Sequence, residues 1–229
     1  MVGKDSLNPK METQQAGQVA AKLIATLAQP TPVKPAITNS RLAQLLATHD
    51  WKFKTLNDPK LAEMLNASIQ FCTDLANNTH PYWLTFAGKS GTGKTHLAKR
   101  IASFFTRALF GSSFVPQSNV VRCRYGKTWD WKLCVNEMRN ADYSSVEPMS
   151  DDWFCGIDDI GSERDPTKFA TDKLLEVLNQ RRDKWAVITS NLMLDEIGEH
   201  MDVRLSSRLL RDGSKVVQVD AQDYNLRRA

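Results

Sequence analysis

The chain has 229 residues, 41% hydrophobic and 24% charged, with a formal net charge of +4. That length holds one sizeable domain, or one domain and an appendage, and that balance describes an ordinary globular protein rather than a low-complexity or membrane-spanning one. The four cysteines, Cys72, Cys123, Cys134 and Cys155, show no C-x-x-C spacing, so reduced thiols are expected and neither a zinc site nor a disulfide framework. The start "MVGKDSLNPK" lacks the apolar stretch of a secretory leader, and no run approaches the ~18 apolar residues of a membrane span. The expected location is cytoplasmic.

Charge is unevenly spread. Residues 1–49 carry Lys4, Lys10, Lys22, Lys34 and Arg41 against Asp5 and Glu12, a balance of +3, which leaves +1 for the other 180 residues. A basic arm on a near-neutral body suits nucleic acid or an acidic partner, and equally a solvated tail. Within the arm, Ala16, Val19, Ala20, Leu23, Ile24 and Leu27 form one helical stripe between Thr13 and Gln29. Pro30, Pro32 and Pro35 then fall too close together for a helix, so "QPTPVKP" reads as an extended linker. A short helix over Ser40–Thr48 follows, with Ser40 as a candidate N-cap. The arm is thus assigned to residues 1–49 and the main body to 50–229.

The body opens with a helix over Pro59–Ala76 carrying Leu61, Met64, Leu65, Ile69 and Leu75 on or near one face. "YWLTFAG" reads as a strand running into "GKSGTGKT", and Lys94–Leu109 as the helix leaving it. "NVVRCR" reads as a second strand, "DWKLCVNEMRN" as a helix, and "WFCGIDD" as a third strand ending in two carboxylates. "TDKLLEVLNQRR" is a helix, "KWAVITSN" a fourth strand, "RLSSRLL" a short helix and "KVVQVD" a fifth strand. Strands alternating with helices predict a parallel sheet covered on both faces, a three-layer α/β/α sandwich.

Gly88, Gly93, Lys94 and Thr95 match the G-x-x-x-x-G-K-[ST] spacing of a phosphate-binding loop. Such a loop turns backbone N–H groups inward around phosphates, with the following helix aiming its positive end at them. Lys94 is placed to neutralise β- and γ-phosphate charge and the Thr95 hydroxyl to hold Mg2+, so ATP and Mg2+ are the expected cofactors. Gly88, Lys89, Ser90, Gly91, Thr92, Gly93, Lys94, Thr95 and His96 make up the candidate nucleotide-binding stretch. Asp158, ending the third strand, is a candidate metal ligand, and Asp159 a general base or orienter for the attacking water. In isolation the same pair reads as a solvated turn before Gly161. Asn191, a neutral amide at the end of the fourth strand, can hold a water against Asp159 without adding charge, or can simply end a strand in a turn.

Taken together, "GKSGTGKTHLA", "GIDDIG", "LLEVLNQRRDKWAVITSNL" and "RLSSRLL" followed by "VVQVD" resemble the AAA+ ATPases of the DnaC/IstB group, the bacterial and phage helicase loaders and transposition helper ATPases. The resemblance runs from about Asp50 to Ala229 on four motifs in order. It implies a P-loop NTPase fold with a five-stranded parallel sheet, with most of the C-terminal helical lid missing. It also implies that Asp158 and Asp159 are the Walker B pair, Asn191 the sensor 1 residue and Arg208 the arginine finger, with Arg204 close by. By spacing alone, Arg204 and Arg208 also fit a solvated basic face. Asp159 stands where most AAA+ proteins carry Glu, and its shorter side chain suggests slow turnover.

The same resemblance implies what the nucleotide does. A small-molecule kinase needs a lid and an acceptor pocket and has no use for a trans-acting arginine helix. Here ATP is expected to drive homo-oligomer assembly around DNA, single-stranded in the favoured reading, and delivery of a replicative helicase gripped through residues 1–49. Delivery to a transposase is the alternative within the group, and a P-loop kinase the alternative outside it. Candidate DNA contacts are Arg122, Arg124, Lys127 and Arg139. Trp129 and Trp131 could stack on bases or belong to the core.

Overall fold

The computed structural model describes residues 39–77, 80–106, 127–211, 213–224 and 226, all within the unit Ile37–Ala229. The arm helix and proline linker, the strand expected over 119–124, and with it Cys123, Arg122 and Arg124, lie outside the described residues.

The first described helix, α1 (Asn39–Thr48), contains Ser40 rather than being capped by it. Its Leu45 and Leu46 pack against the core, and the His49 imidazole bonds the Arg100 carbonyl at 3.1 Å. Next, α2 (Pro59–Ala76) runs over the span its periodicity predicts. Asp58 accepts from the Lys60 and Leu61 N–H groups as N-cap, and Pro59 takes the first helical turn, where no donor is needed.

The sheet consists of β1 (Trp83–Gly88), β2 (Thr128–Asp130), β3 (Phe154–Ile160), β4 (Trp185–Ser190) and β5 (Lys215–Val219) in the order β2-β3-β4-β1-β5, with every pairing parallel. Between strands run α3 (Lys94–Phe104), α4 (Trp131–Arg139), α5 (Val146–Asp151), α6 (Phe169–Gln180), α7 (Leu194–Glu196) with a π-helical turn over Ile197–Met201, and α8 (Val203–Leu209). This is the expected five-stranded α/β/α sandwich. The strand beside β3 is Thr128–Asp130, directly before the helix expected at "DWKLCVNEMRN". Asp130 ends that strand and caps α4 by accepting from the Leu133 N–H at 3.0 Å.

Alternation along the strands divides the core between the two faces. On one, Leu84, Phe86, Trp185, Val187, Val217 and Val219 meet α2 and α3 through Met64, Phe71, Leu97 and Ile101. On the other, Cys155, Ile157, Ala186 and Ile188 meet α4, α6 and α8 through Trp131, Val135, Leu174, Leu178 and Leu205. Strands buried on both faces are largely apolar along their length, as β1 and β4 are, with every residue of both buried. Trp131 is fully buried and donates to Glu163 Oε1 at 3.1 Å; Trp129 packs at the margin of the second cluster.

Candidate nucleotide-binding site

The central strand β1 ends in Gly88, and the chain turns through residues 89–93 into α3. Gly88 has φ +133°, and a Cβ there would collide with the Val219 carbonyl of β5. At Gly91, with φ +73°, a Cβ would collide with the Asp223 carboxylate. Both positions need a residue without a side chain. Thr92 tightens the turn by donating to the Lys89 carbonyl at 3.1 Å, and Lys89 pairs with Asp220 at 2.6 Å on the surface.

Lys94 is only 4% exposed. Its ammonium donates to the Gly88 carbonyl at 2.7 Å and the Lys89 carbonyl at 2.6 Å, so the side chain folds back under its own loop. An ammonium has three donors, which leaves one for an anion held by the loop. Burial pushes its pKa down to about 8, against the opposing pull of Asp159 and Asp158.

Across from the loop, β3 brings up the two carboxylates. Asp158 Oδ1 accepts from Thr95 Oγ1 at 2.9 Å and from Thr189 Oγ1 at 2.6 Å. Asp159 has φ +63°, its N–H donates to Thr189 Oγ1 at 2.8 Å, and its carboxylate accepts from the Asn191 amide. The structure thus brings Lys94, Thr95, Asp158, Asp159 and Asn191 to one end of adjacent strands. The Thr95 hydroxyl and Asp158 carboxylate are hard oxygen donors side by side, and donating to Asp158 leaves the hydroxyl's lone pairs available, a set that fits Mg2+ completed by water and phosphate.

Beside the loop lies a cavity of about 550 Å3, within the range of small-ligand sites. Lys52, Phe53, Lys54 and Leu61 form one wall, residues 91–96 and Lys99 the other, with Asn191 and Tyr224 at its margins. His96 belongs to this wall: its ring lies roughly parallel to Phe53 at 6.4 Å between centroids and bonds the Trp51 carbonyl at 3.0 Å. Ser90 lines a separate hollow with Lys89, Asn191 and the segment Asp220–Asp223. That segment lies along the loop, with the Tyr224 N–H donating to the Gly91 carbonyl at 2.9 Å.

No arginine lines the cavity among the described residues. Arg204 is held by Asp202, donating from Nε and one terminal nitrogen, and lies 3.8 Å from Asp172. Arg208 is different. Its Nε is buried with no hydrogen-bond partner among the described residues, and burial, then Arg211 and Arg204, hold its pKa below the ordinary value. Of the other basic candidates, Lys127 sits over the Trp129 ring at 3.5 Å, and Arg139 donates to the Arg164 carbonyl at 2.6 Å.

Sequence reasoning missed Thr189, the "WKFK" wall and Tyr224. The basic-aromatic interleaving of Trp51, Lys52, Phe53 and Lys54 was the available signal for the second. Thr189 carries none, because a threonine in an apolar run reads as a strand former.

Fold and loop geometry together define a P-loop NTPase-like sandwich of the AAA+ kind. No protein-family model matches the sequence, and no curated protein matches it. Among solved structures, the chain is similar to DnaI at 16% identity and TM-score 0.59, covering 79% of this chain and 92% of that one. It is likewise similar to the DnaC helicase loader at 18% identity and TM-score 0.53, covering 80% of this chain and all of that one. At these identities the likeness concerns the fold.

Proposed function

We propose that this chain is an ATP-dependent helicase loader of the DnaC kind, which assembles on ATP and single-stranded DNA in the cytoplasm and delivers a replicative helicase. In this reading Lys94 and the loop N–H groups bind the phosphates, and Thr95 and Asp158 hold Mg2+, which offsets charge on the β- and γ-phosphates. Asp159, oriented by Asn191, accepts the proton of the attacking water. Arg208 of one copy reaches the γ-phosphate bound by the next, with Arg204 shaping the same helix end. Lys127, Arg139, Arg122 and Arg124 are the proposed DNA contacts, and the stripe within residues 1–49 docks on the helicase.

What carries the reading is the composition of the site. Among the described residues it has a phosphate loop, a carboxylate pair and an amide beside them, but no arginine at the cavity, while Arg208 lies elsewhere with its Nε unpartnered. A site that carries lysines but, among the described residues, no arginine finger of its own suits hydrolysis coupled to assembly. The test is capture of the replicative helicase, with ATP, by the full chain and by a chain lacking residues 1–38. Residues from Asn39 onward are kept because α1 packs on the body. Helicase retained by the full chain and lost on truncation is the expected outcome. Capture of a transposase instead would move the protein to the IstB kind, and capture of neither would refute the loader reading.

A further inference from the structure

Two adjacent aspartates in a regular strand point to opposite faces of the sheet. In such a strand, one of Asp158 and Asp159 would face the site and the other a covered face. β3 avoids this. Ile157 pairs with Ile188 and Ile160 with Ser190, so Asp158 and Asp159 together stand opposite a single β4 residue, Thr189. A bulge is uncommon in a parallel pair, and here it comes with a non-glycine residue at φ +63°.

The Thr189 side chain occupies that defect. It is 1% exposed, donates to Asp158 Oδ1 at 2.6 Å and accepts from the Asp159 N–H at 2.8 Å. One hydroxyl can do both, having one hydrogen and two lone pairs. Burial leaves little room for water to substitute. Thr95, the other donor to Asp158, is itself assigned to the metal, so Thr189 holds the carboxylate from a strand outside the phosphate loop.

We propose that Thr189 is a positioning residue for the hydrolytic reaction: its hydroxyl fixes Asp158 for the metal and the Asp159 backbone for the attacking water. The inference rests on the ATP-hydrolysing reading above. Asp158 supplies a metal ligand only if its carboxylate holds its direction, and Asp159 meets Asn191 only while its backbone keeps the bulged conformation. Valine has the shape and β-branching of threonine without the hydroxyl, so it keeps the strand while removing both bonds. Serine keeps both bonds and loses the methyl.

The experiment compares wild type, Thr189→Val and Thr189→Ser by three measurements. These are affinity for a fluorescent ATP analogue in EDTA, affinity of the nucleotide complex for Mn2+ by electron paramagnetic resonance, and ATPase rate against Mg2+ concentration. For Thr189→Val we expect analogue affinity in EDTA within about twofold of wild type, Mn2+ affinity weaker by about tenfold, and kcat lower by at least about tenfold, the scale of one hydrogen bond to a charged group. Thr189→Ser should stay within about threefold on all three. Wild-type Mn2+ affinity and kcat in Thr189→Val would overturn the proposal, as would equal damage in Thr189→Ser, which would assign the effect to the methyl. Should Thr189→Val not fold, Thr189→Ala removes the same hydroxyl with less bulk and is read by the same criteria. A wild type that fails to bind the analogue would overturn the nucleotide reading itself, and this proposal with it. A wild type that binds and hydrolyses, beside an unaffected Thr189→Val, would overturn the positioning role alone.

Discussion

Replacing Lys94 with methionine should change how the stability of the nucleotide-free protein responds to pH. The wild-type ammonium is buried under the loop, with its pKa pushed from 10.5 down to about 8 by burial. Between those two values the unfolded chain holds a proton that the folded chain has released, so stability rises with pH across the window. Below about pH 8 both states are charged and the folded state bears the full cost of the buried ammonium; above 10.5 both are neutral and that cost is gone. The window is about 2.5 pH units wide, which sets a ceiling of roughly 3 kcal/mol on the gain. Methionine keeps an unbranched chain of similar length and removes the titration. It also strips the Gly88 and Lys89 carbonyls of a donor, but that penalty does not vary with pH and leaves the slope untouched. Urea unfolding of both proteins at several pH values between 7.5 and 10.5 isolates Lys94, because the other ionisations cancel in the difference. Wild type should gain on the variant by up to about 3 kcal/mol as pH rises. Saturating ATP should flatten that gain, since bound phosphates favour the charged ammonium, and the variant should bind no ATP. Parallel stability curves would refute the argument, because they would mean that Lys94 titrates alike in both states.

Asp159→Asn should keep ATP binding and assembly while stopping turnover, since an amide cannot act as the base; loss of ATP binding itself would show that Asp159 ligates the metal or supports the loop. Arg208→Ala should leave monomer affinity for nucleotide nearly intact and lower the ATPase rate, by about 10³–10⁵-fold where a finger is fully engaged. Mixing Arg208→Ala with Lys94→Ala protomers should restore part of the activity, and a failure to do so at every ratio would place the whole site in one chain. Gly88→Ala should lower the melting temperature more than Gly91→Ala. The first meets a β5 backbone carbonyl and the second only the end of the Asp223 side chain, although both pay about 1–3 kcal/mol for a strained φ. Thermal melts in the reverse order would contradict that account.

The turn from β1 into α3 was legible because a phosphate-binding pattern fixes residue types at fixed offsets, and α2 because its apolar stripe is sustained over the whole helix. What escaped depended on contacts between distant segments. β2 spans only Thr128–Asp130 and has no length in which to show a period. Arg204 and Arg208 look equivalent in "RLSSRLL"; only the structure shows Asp202 engaging the first, while the second's Nε has no partner among the described residues. The cavity wall at Phe53 and His96 joins segments on either side of α2 and β1, so neither half announces the other.

The bulge in β3 also bears on how such a chain can change over time. Ile157 and Ile160 keep their β4 partners on either side of it, so the strand carries one residue more than its neighbour requires. Deleting one aspartate would let the ladder close across Thr189 with both flanks still in register and the apolar residues still facing their layers. The residue surplus to the fold is one that the proposed chemistry needs most. A three-nucleotide deletion is therefore a short path from the proposed phosphate-cleaving centre to an inert scaffold of the same shape, whereas a comparable deletion within β1 or β4 would turn core residues to the wrong face and forfeit the scaffold as well.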